Sequence, residues 1–283
     1  MPTMAELAER VDRLTTEHLE VLLHTLIKSP PPVVADEVFL TYGLATEVLR
    51  FFFGNAWTNE NIFEMHKAIS PENRAGRKFL KTESTEREEQ FRHMQRVATL
   101  AEIVFNLQGT EGLKQRIILM HNHDLEAALG EMECAALVAV PEFHFRFITP
   151  TGVKGKDYEG EIVTSTGRIV CCEMKARSEQ MNPNRQTLWN TFEHARKQLP
   201  KGKPAIVLVK IPEDWVKNPD IQVIIEAAIG KIFRQSNRIV AFVFTWEEWY
   251  SAPQDSKFVV SKIRPYPNKR SNLYDSTLSN FDV

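Results

Sequence analysis

The second half of the chain alternates two hydrophobic periods, and few folds accept that alternation. "EFHFRFITP" (142–150), "KDYEGEIVT" (156–164) and "GRIVCCEMKA" (167–176) are short runs of period two with turn residues between them, the pattern of antiparallel strands. A helical period follows in "NPNRQTLWNTFEHARKQL", with Leu188, Phe192, Ala195 and Leu199 on one stripe. "KPAIVLVKIP" (203–212) is a continuous apolar run, as in a strand buried on both faces. "NPDIQVIIEAAIGKIF" has Asn218 as a cap, Pro219 at the first helical position, and Ile221, Ile224, Ile225, Ala228, Ile229 and Ile232 on one face. "NRIVAFVFTWEEW" (237–249) reads as another buried strand. With the Ala- and Leu-rich helix over 123–139 ahead of it, the order predicts an α/β domain, a mixed central sheet flanked by helices.

The first half reads differently. Leu7, Val11, Leu14, His18, Leu22 and Leu26 predict a helix over 4–27, which "SPPPVV" (29–34) ends by removing amide donors. Shorter helices are expected over 39–54 and 60–69. A long one follows, capped by Ser84 or Thr85, with Phe91, Met94, Ala98, Ala101 and Phe105 in a stripe. Gly109 and Gly112 punctuate its end. The expected division is a helical N-terminal region, 1–110, and an α/β domain, 111–283.

Composition narrows the setting. No apolar run approaches the ~18–20 residues that span a bilayer, so no membrane partner is expected. "MPTMAELAERVDRLTTEHLE" lacks an apolar signal core. Cys134, Cys171 and Cys172 have neither CxxC spacing nor a geometry suited to pairing, which fits a reducing cytoplasm. A net charge of −2 gives no global argument for a polyanionic partner.

One apolar strand carries charges that need a cause. In "RIVCCEMKAR" (168–177) the faces alternate, so Val170, Cys172, Met174 and Ala176 form an apolar face while Cys171, Glu173 and Lys175 share the other. In the preceding strand Asp157, Glu159 and Glu161 lie on one face. If 164–168 form the hairpin turn, Glu159 sits opposite Glu173 and Asp157 opposite Lys175. A tighter turn sets Asp157 opposite Glu173 instead. Either register gathers carboxylates that repel one another unless a cation sits between them, and hard oxygen ligands suit Mg²⁺ or Mn²⁺.

An acid in one strand, a hairpin, and an apolar strand ending Glu-x-Lys before a helix resemble the PD-(D/E)XK, or restriction-endonuclease-like, nuclease superfamily. "GKDYEGEI…GRIVCCEMKAR" is similar to members with a Gly-x-Asp-Tyr-acid pattern, and the resemblance covers roughly residues 123–250. It implies a restriction-endonuclease-like core in which the strand acid, Asp157 or Glu159, and Glu173 bind the divalent metal. It implies that Lys175 positions or activates the attacking water, and that a helix glutamate, Glu131 or Glu133, joins the site. Lys156 stands where the family often has proline before the strand acid. The expected activity is metal-dependent hydrolysis of nucleic-acid phosphodiesters, with DNA ahead of RNA as substrate.

From Cys172 to Lys210 eight Lys and Arg face three acids, against the plain alternative of a solvated face. Arg177, Arg185, Arg196 and Lys197 are candidate phosphate contacts there, and Trp189 a candidate stacking surface that also suits the core. "HNHD" (121–124) is contiguous at a helix start, unlike the ββα spread of an HNH nuclease, so His123 and Asp124 read as capping residues. No HExxH, Walker loop, GxSxG or GxGxxG occurs. The N-terminal helices are expected to bind substrate or partner, through Arg74, Arg77, Lys78 and Lys81, or to support a homodimer. The competing function is an inactive binding module on the same fold.

Overall fold

In the computed structural model the described residues are 11–28, 37–63, 79–80, 85–121, 125–140, 143–153, 155–177, 183–251 and 257–274. The chain divides into two compact units, Met1–Leu129 and Gly130–Val283. Arg74, Arg77, Lys78, Lys81, His123 and Asp124 fall outside the described residues. Among the described residues no helix is long and apolar enough to cross a membrane.

The first unit is helical: α1 (Thr16–Lys28), α2 (Glu37–Phe53), a short α3 (Asn55–Thr58) continued by a π-helical turn (Asn59–Phe63), α4 (Arg87–Leu107) and α5 (Leu113–Met120). The helix expected over 4–27 is not formed over residues 11–15. Gln108 explains why: its side chain donates to Leu14 O (3.0 Å) and accepts from Leu14 N (2.9 Å), spending on a long-range contact the groups a helix would use. Thr15 Oγ1 then accepts from His18 N at 3.4 Å, and α1 starts after it. At α4 the boundary residue is Glu86, with no side-chain cap, in place of the expected Ser84 or Thr85. Tyr42 on α2 meets His93 on α4 at 3.0 Å, and burial lowers the imidazole pKa to about 4.

α6 (Leu125–Val138) leads into the sheet: β1 (His144–Phe147), β2 (Gly160–Val163), β3 (Ile169–Ala176), α7 (Arg185–Gln198), β4 (Ala205–Lys210), α8 (Glu213–Val216), α9 (Ile221–Gln235), β5 (Ile239–Ser251) and β6 (Lys257–Pro267). The strands lie side by side in chain order; β1–β2–β3 are antiparallel, β3–β4–β5 parallel, and β5–β6 antiparallel. This is the mixed sheet that the alternating periods predict. β6 is an addition to the elements expected from the sequence, an edge strand in which Pro265 and Pro267 are tolerated because one side needs no ladder bonds.

On one face Cys171, Val207, Val209, Phe242 and Phe244 pack under Leu188, Phe192 and Ala195 of α7 and Ile225, Ala228 and Ile229 of α9. Asn184 caps α7, its Oδ1 accepting from Thr187 N at 2.8 Å. At Asn218 the chain makes a turn instead of the expected cap: its Oδ1 accepts from Asp220 N, and α9 begins at Ile221. The opposite face meets α6, where Gly130 permits the approach: a Cβ there would lie 2.5 Å from Ala176 Cβ.

Candidate functional site

Thr164 N–H donates to Arg168 O at 2.9 Å, closing the β2–β3 hairpin and pairing Gly160 with Cys172. Carried one residue further, this register puts Glu159 opposite Glu173. The ladder stops at Gly160, so the next donor on that side, Met174 N–H, is taken by Glu159 Oε2 at 3.0 Å. Glu159 is thereby held against β3, and its own carbonyl accepts from Ile148 N at 2.9 Å. Lys175 Nζ stands 3.5 Å from Glu159 Oε1 and 2.5 Å from Glu173 Oε1.

Glu173 has no exposed surface, and neither of its carboxylate oxygens has a well-formed hydrogen bond. The short approach of Lys175 is an ion-pair contact whose angles fall short of one. Burial first, and the Glu159 carboxylate second, push the Glu173 pKa up to about 10, against the pull of Lys175. Burial pulls Lys175 down, but Glu159, Glu173 and Glu131 outweigh it and its pKa rises. Both shifts are upward, so near neutral pH Glu173, which has no contact with water, holds its proton while Lys175 stays charged and pairs with Glu159.

Glu161 shows what a satisfied buried carboxylate looks like on the same face. Tyr158 Oη–H donates to it at 2.6 Å and Arg146 Nη2 at 2.7 Å, and Lys203 Nζ lies at 3.5 Å. Burial pushes its pKa up, yet those partners more than offset this and leave it below the ordinary value.

Of the two strand acids left open by the sequence, Glu159 is the one brought to Glu173 and Lys175. Asp157 caps the preceding turn, accepting from Thr151 N (2.7 Å) and Thr151 Oγ1 (2.9 Å), bonds that lower its pKa. The helix glutamates also separate, since two residues on a helix differ by roughly 200°. Glu131 lies within the electrostatic reach of Lys175. Glu133 is 2.5 Å from Lys210 Nζ, which also reaches Glu247 at 3.5 Å. Lys210 and Glu247 lie on the sheet face opposite Glu173 by strand alternation.

The basic candidates divide too. Arg196 pairs with Glu193 at 2.6 Å, and Lys197 approaches the same carboxylate at 3.5 Å. Lys231 Nζ sits 3.6 Å from the centre of the Trp189 ring, which packs against the core, so that face already carries a cation. Arg185 is exposed in the first turn of α7. Arg177 lines a depression with Lys175 and with four residues the sequence reading missed: Thr187, Asn190, Thr191 and His194. Their signal was a polar stripe at helical spacing beside the apolar stripe of α7.

Glu159 and Glu173 supply hard oxygens suited to Mg²⁺ or Mn²⁺, and the unsatisfied, enclosed oxygens of Glu173 fit a cation. Among the described residues no group of three or more His, Cys, Asp or Glu is gathered as a metal site. Two carboxylates and an ammonium are what the fold assembles. Comparison of the chain with protein-family models, with curated proteins and with solved structures returns no match.

Proposed function

We propose that the protein is a divalent-metal-dependent nuclease of the PD-(D/E)XK kind, hydrolysing nucleic-acid phosphodiesters at Glu159, Glu173 and Lys175. One observation carries the reading: Glu173 is wholly buried with the Lys175 ammonium as its one close cation and no well-formed hydrogen bond, while Glu161, on the same face, is held by Tyr158, Arg146 and Lys203. A fold that satisfies one buried acid this fully leaves the other under-supplied, and a buried acid without well-formed hydrogen bonds is costly unless a ligand completes it. Glu159 and Glu173 would hold the cation, with Glu131 near enough to contribute. Bound there, Mg²⁺ or Mn²⁺ supplies a water of lowered pKa and positive charge for the pentacovalent phosphorus centre.

The protein's own groups do the rest. Glu159, fixed by Met174 N–H, holds its carboxylate in place before any ligand arrives. Lys175, at the open end of β3, turns its ammonium from the carboxylates to the attacking water and a non-bridging phosphate oxygen, stabilising charge that grows during attack. For Glu173 to hold a cation in place of Lys175 it would first release its proton to solvent water.

A specific observation favours the competing reading of an inactive module. Lys175 already neutralises the cluster, and the described residues offer no third ligand gathered with the other two. Incubating the pure protein with plasmid, single-stranded DNA and RNA, in Mg²⁺ or Mn²⁺ and in EDTA, separates the two. Metal-dependent cleavage of any of them, lost in Glu173→Gln, supports the nuclease; no cleavage and no metal-dependent rise in Tm supports the module.

A further inference from the structure

Beside the carboxylate cluster, β3 and α7 border an open depression of about 270 Å³ lined by Lys175, Arg177, Thr187, Asn190, Thr191 and His194. Its lining holds two cationic side chains, an imidazole and three neutral polar groups, and no acid. The unusual member is Arg177. Its backbone N–H extends the β3–β4 ladder by donating to Lys210 O at 3.0 Å, which fixes the residue just past the strand end. Its Nη2 donates to Thr191 Oγ1, while Nε is buried without an acceptor. Among the described residues no carboxylate pairs with it, and burial lowers its pKa. A guanidinium does not give up its proton in a protein, so the fold partly encloses a charge and provides no counter-ion. Two arginines of this unit are matched by carboxylates, Arg146 by Glu161 and Arg196 by Glu193, whereas Arg238, whose Nε also lacks an acceptor, donates to the Arg196 carbonyl and does not line the depression. A partly enclosed, unmatched cation on the wall of an acid-free depression is completed by an anion, and planar guanidinium donors suit phosphate oxygens.

We propose that this depression seats a substrate phosphate flanking the phosphodiester attacked at Glu159, Glu173 and Lys175, with Arg177 as its anchor. Lys175 and Arg177 are two residues apart along an extended chain, roughly 6–7 Å, a spacing comparable to that of successive phosphates in a nucleic-acid strand. The identity of the substrate rests on the nuclease reading; the anion site does not.

The test is thermal unfolding of the full chain in EDTA, titrated with inorganic phosphate and with a short single-stranded oligonucleotide with or without a 5′-phosphate. Each phosphate ligand is expected to raise Tm, and Arg177→Gln to weaken the apparent affinity at least tenfold. Asn190→Asp provides an independent variant: Asn190 is exposed, and its Oδ1 accepts from Gln186 Nε2 at 2.8 Å, a bond aspartate keeps. It places a carboxylate in the depression without touching the core, and is expected to weaken phosphate binding as strongly with an unchanged ligand-free Tm. A larger response to the 5′-phosphorylated oligonucleotide assigns the seat to a strand end, and equal responses assign it to an internal phosphate. No phosphate response in the wild type, or an equal response in Asn190→Asp, overturns the proposal. Cleavage is assayed on the same preparations. Metal-dependent cleavage without a phosphate response removes this inference and leaves the nuclease reading; a phosphate response sensitive to Asn190→Asp without cleavage does the reverse.

Discussion

Glu161 and Glu173 stand on adjacent strands and one sheet face, and donors separate their chemistry. Glu173, raised to about 10 from an ordinary carboxylate value, holds a proton in the folded protein that the unfolded chain releases near pH 4.5. Between those limits the folded state binds more protons, so its contribution to metal-free stability is full below about pH 4.5 and falls as pH rises towards 10. Tm measured in EDTA from pH 5 to 9 should therefore decline for the wild type and be flatter in Glu173→Gln, with the variant at least as stable at pH 8. Added Mn²⁺ should raise the wild-type Tm at pH 8 and leave the variant unmoved; a Glu173→Gln that melts well below wild type in EDTA would make Glu173 a structural partner of Lys175. Lys175→Met should lose roughly 10²–10³ in cleavage rate while keeping a Mn²⁺-dependent Tm shift, because the ammonium serves the phosphate and not the metal. Glu173 and Lys175 were legible from the sequence because strand parity alone puts them on one face. The choice of Glu159 over Asp157 was not, since it depends on Thr151 drawing Asp157 into the preceding turn.

Two elements set the site's geometry. The β2–β3 hairpin brings Glu159 to Glu173, and α6 lies close enough to β3 for Glu131 to influence Lys175. That approach depends on Gly130, where a Cβ would be 2.5 Å from Ala176 Cβ. Gly130→Ala should destabilise the protein by about 1–3 kcal/mol in urea unfolding, as overpacking does, and Ala176→Gly should restore part of the loss in the double variant. Additive losses would mean that the contact does not limit the approach. The phase of α6 was hidden in the sequence: Glu131 and Glu133 are equally acidic, and only packing shows that one acts on Lys175 while the other meets Lys210. β6 was hidden by its prolines, and the true start of α1 by the long-range hold of Gln108 on Leu14. Such features depend on contacts across the chain, which no local period encodes.

At the scale of the whole molecule, Glu159, Glu173, Lys175 and Glu131 all lie within Gly130–Val283, together with the depression at Arg177. The sheet and its flanking helices were legible because apolar runs and helical stripes alternate so regularly there. The role of the helical N-terminal unit was not, because its basic candidates lie outside the described residues. A fragment spanning 111–283 should keep the Mn²⁺-dependent rise in Tm, since it holds every member of the cluster; a soluble, folded fragment without that response would place part of the metal site in the first unit. The central claim, that Glu159, Glu173 and Lys175 form a metal-dependent hydrolytic centre, is tested most directly by plasmid cleavage in Mn²⁺ on matched preparations of wild type, Glu173→Gln and Lys175→Met. The account predicts cleavage by the wild type that EDTA abolishes, none by Glu173→Gln, and a rate lower by roughly 10²–10³ for Lys175→Met. Equal cleavage by all three proteins would contradict it.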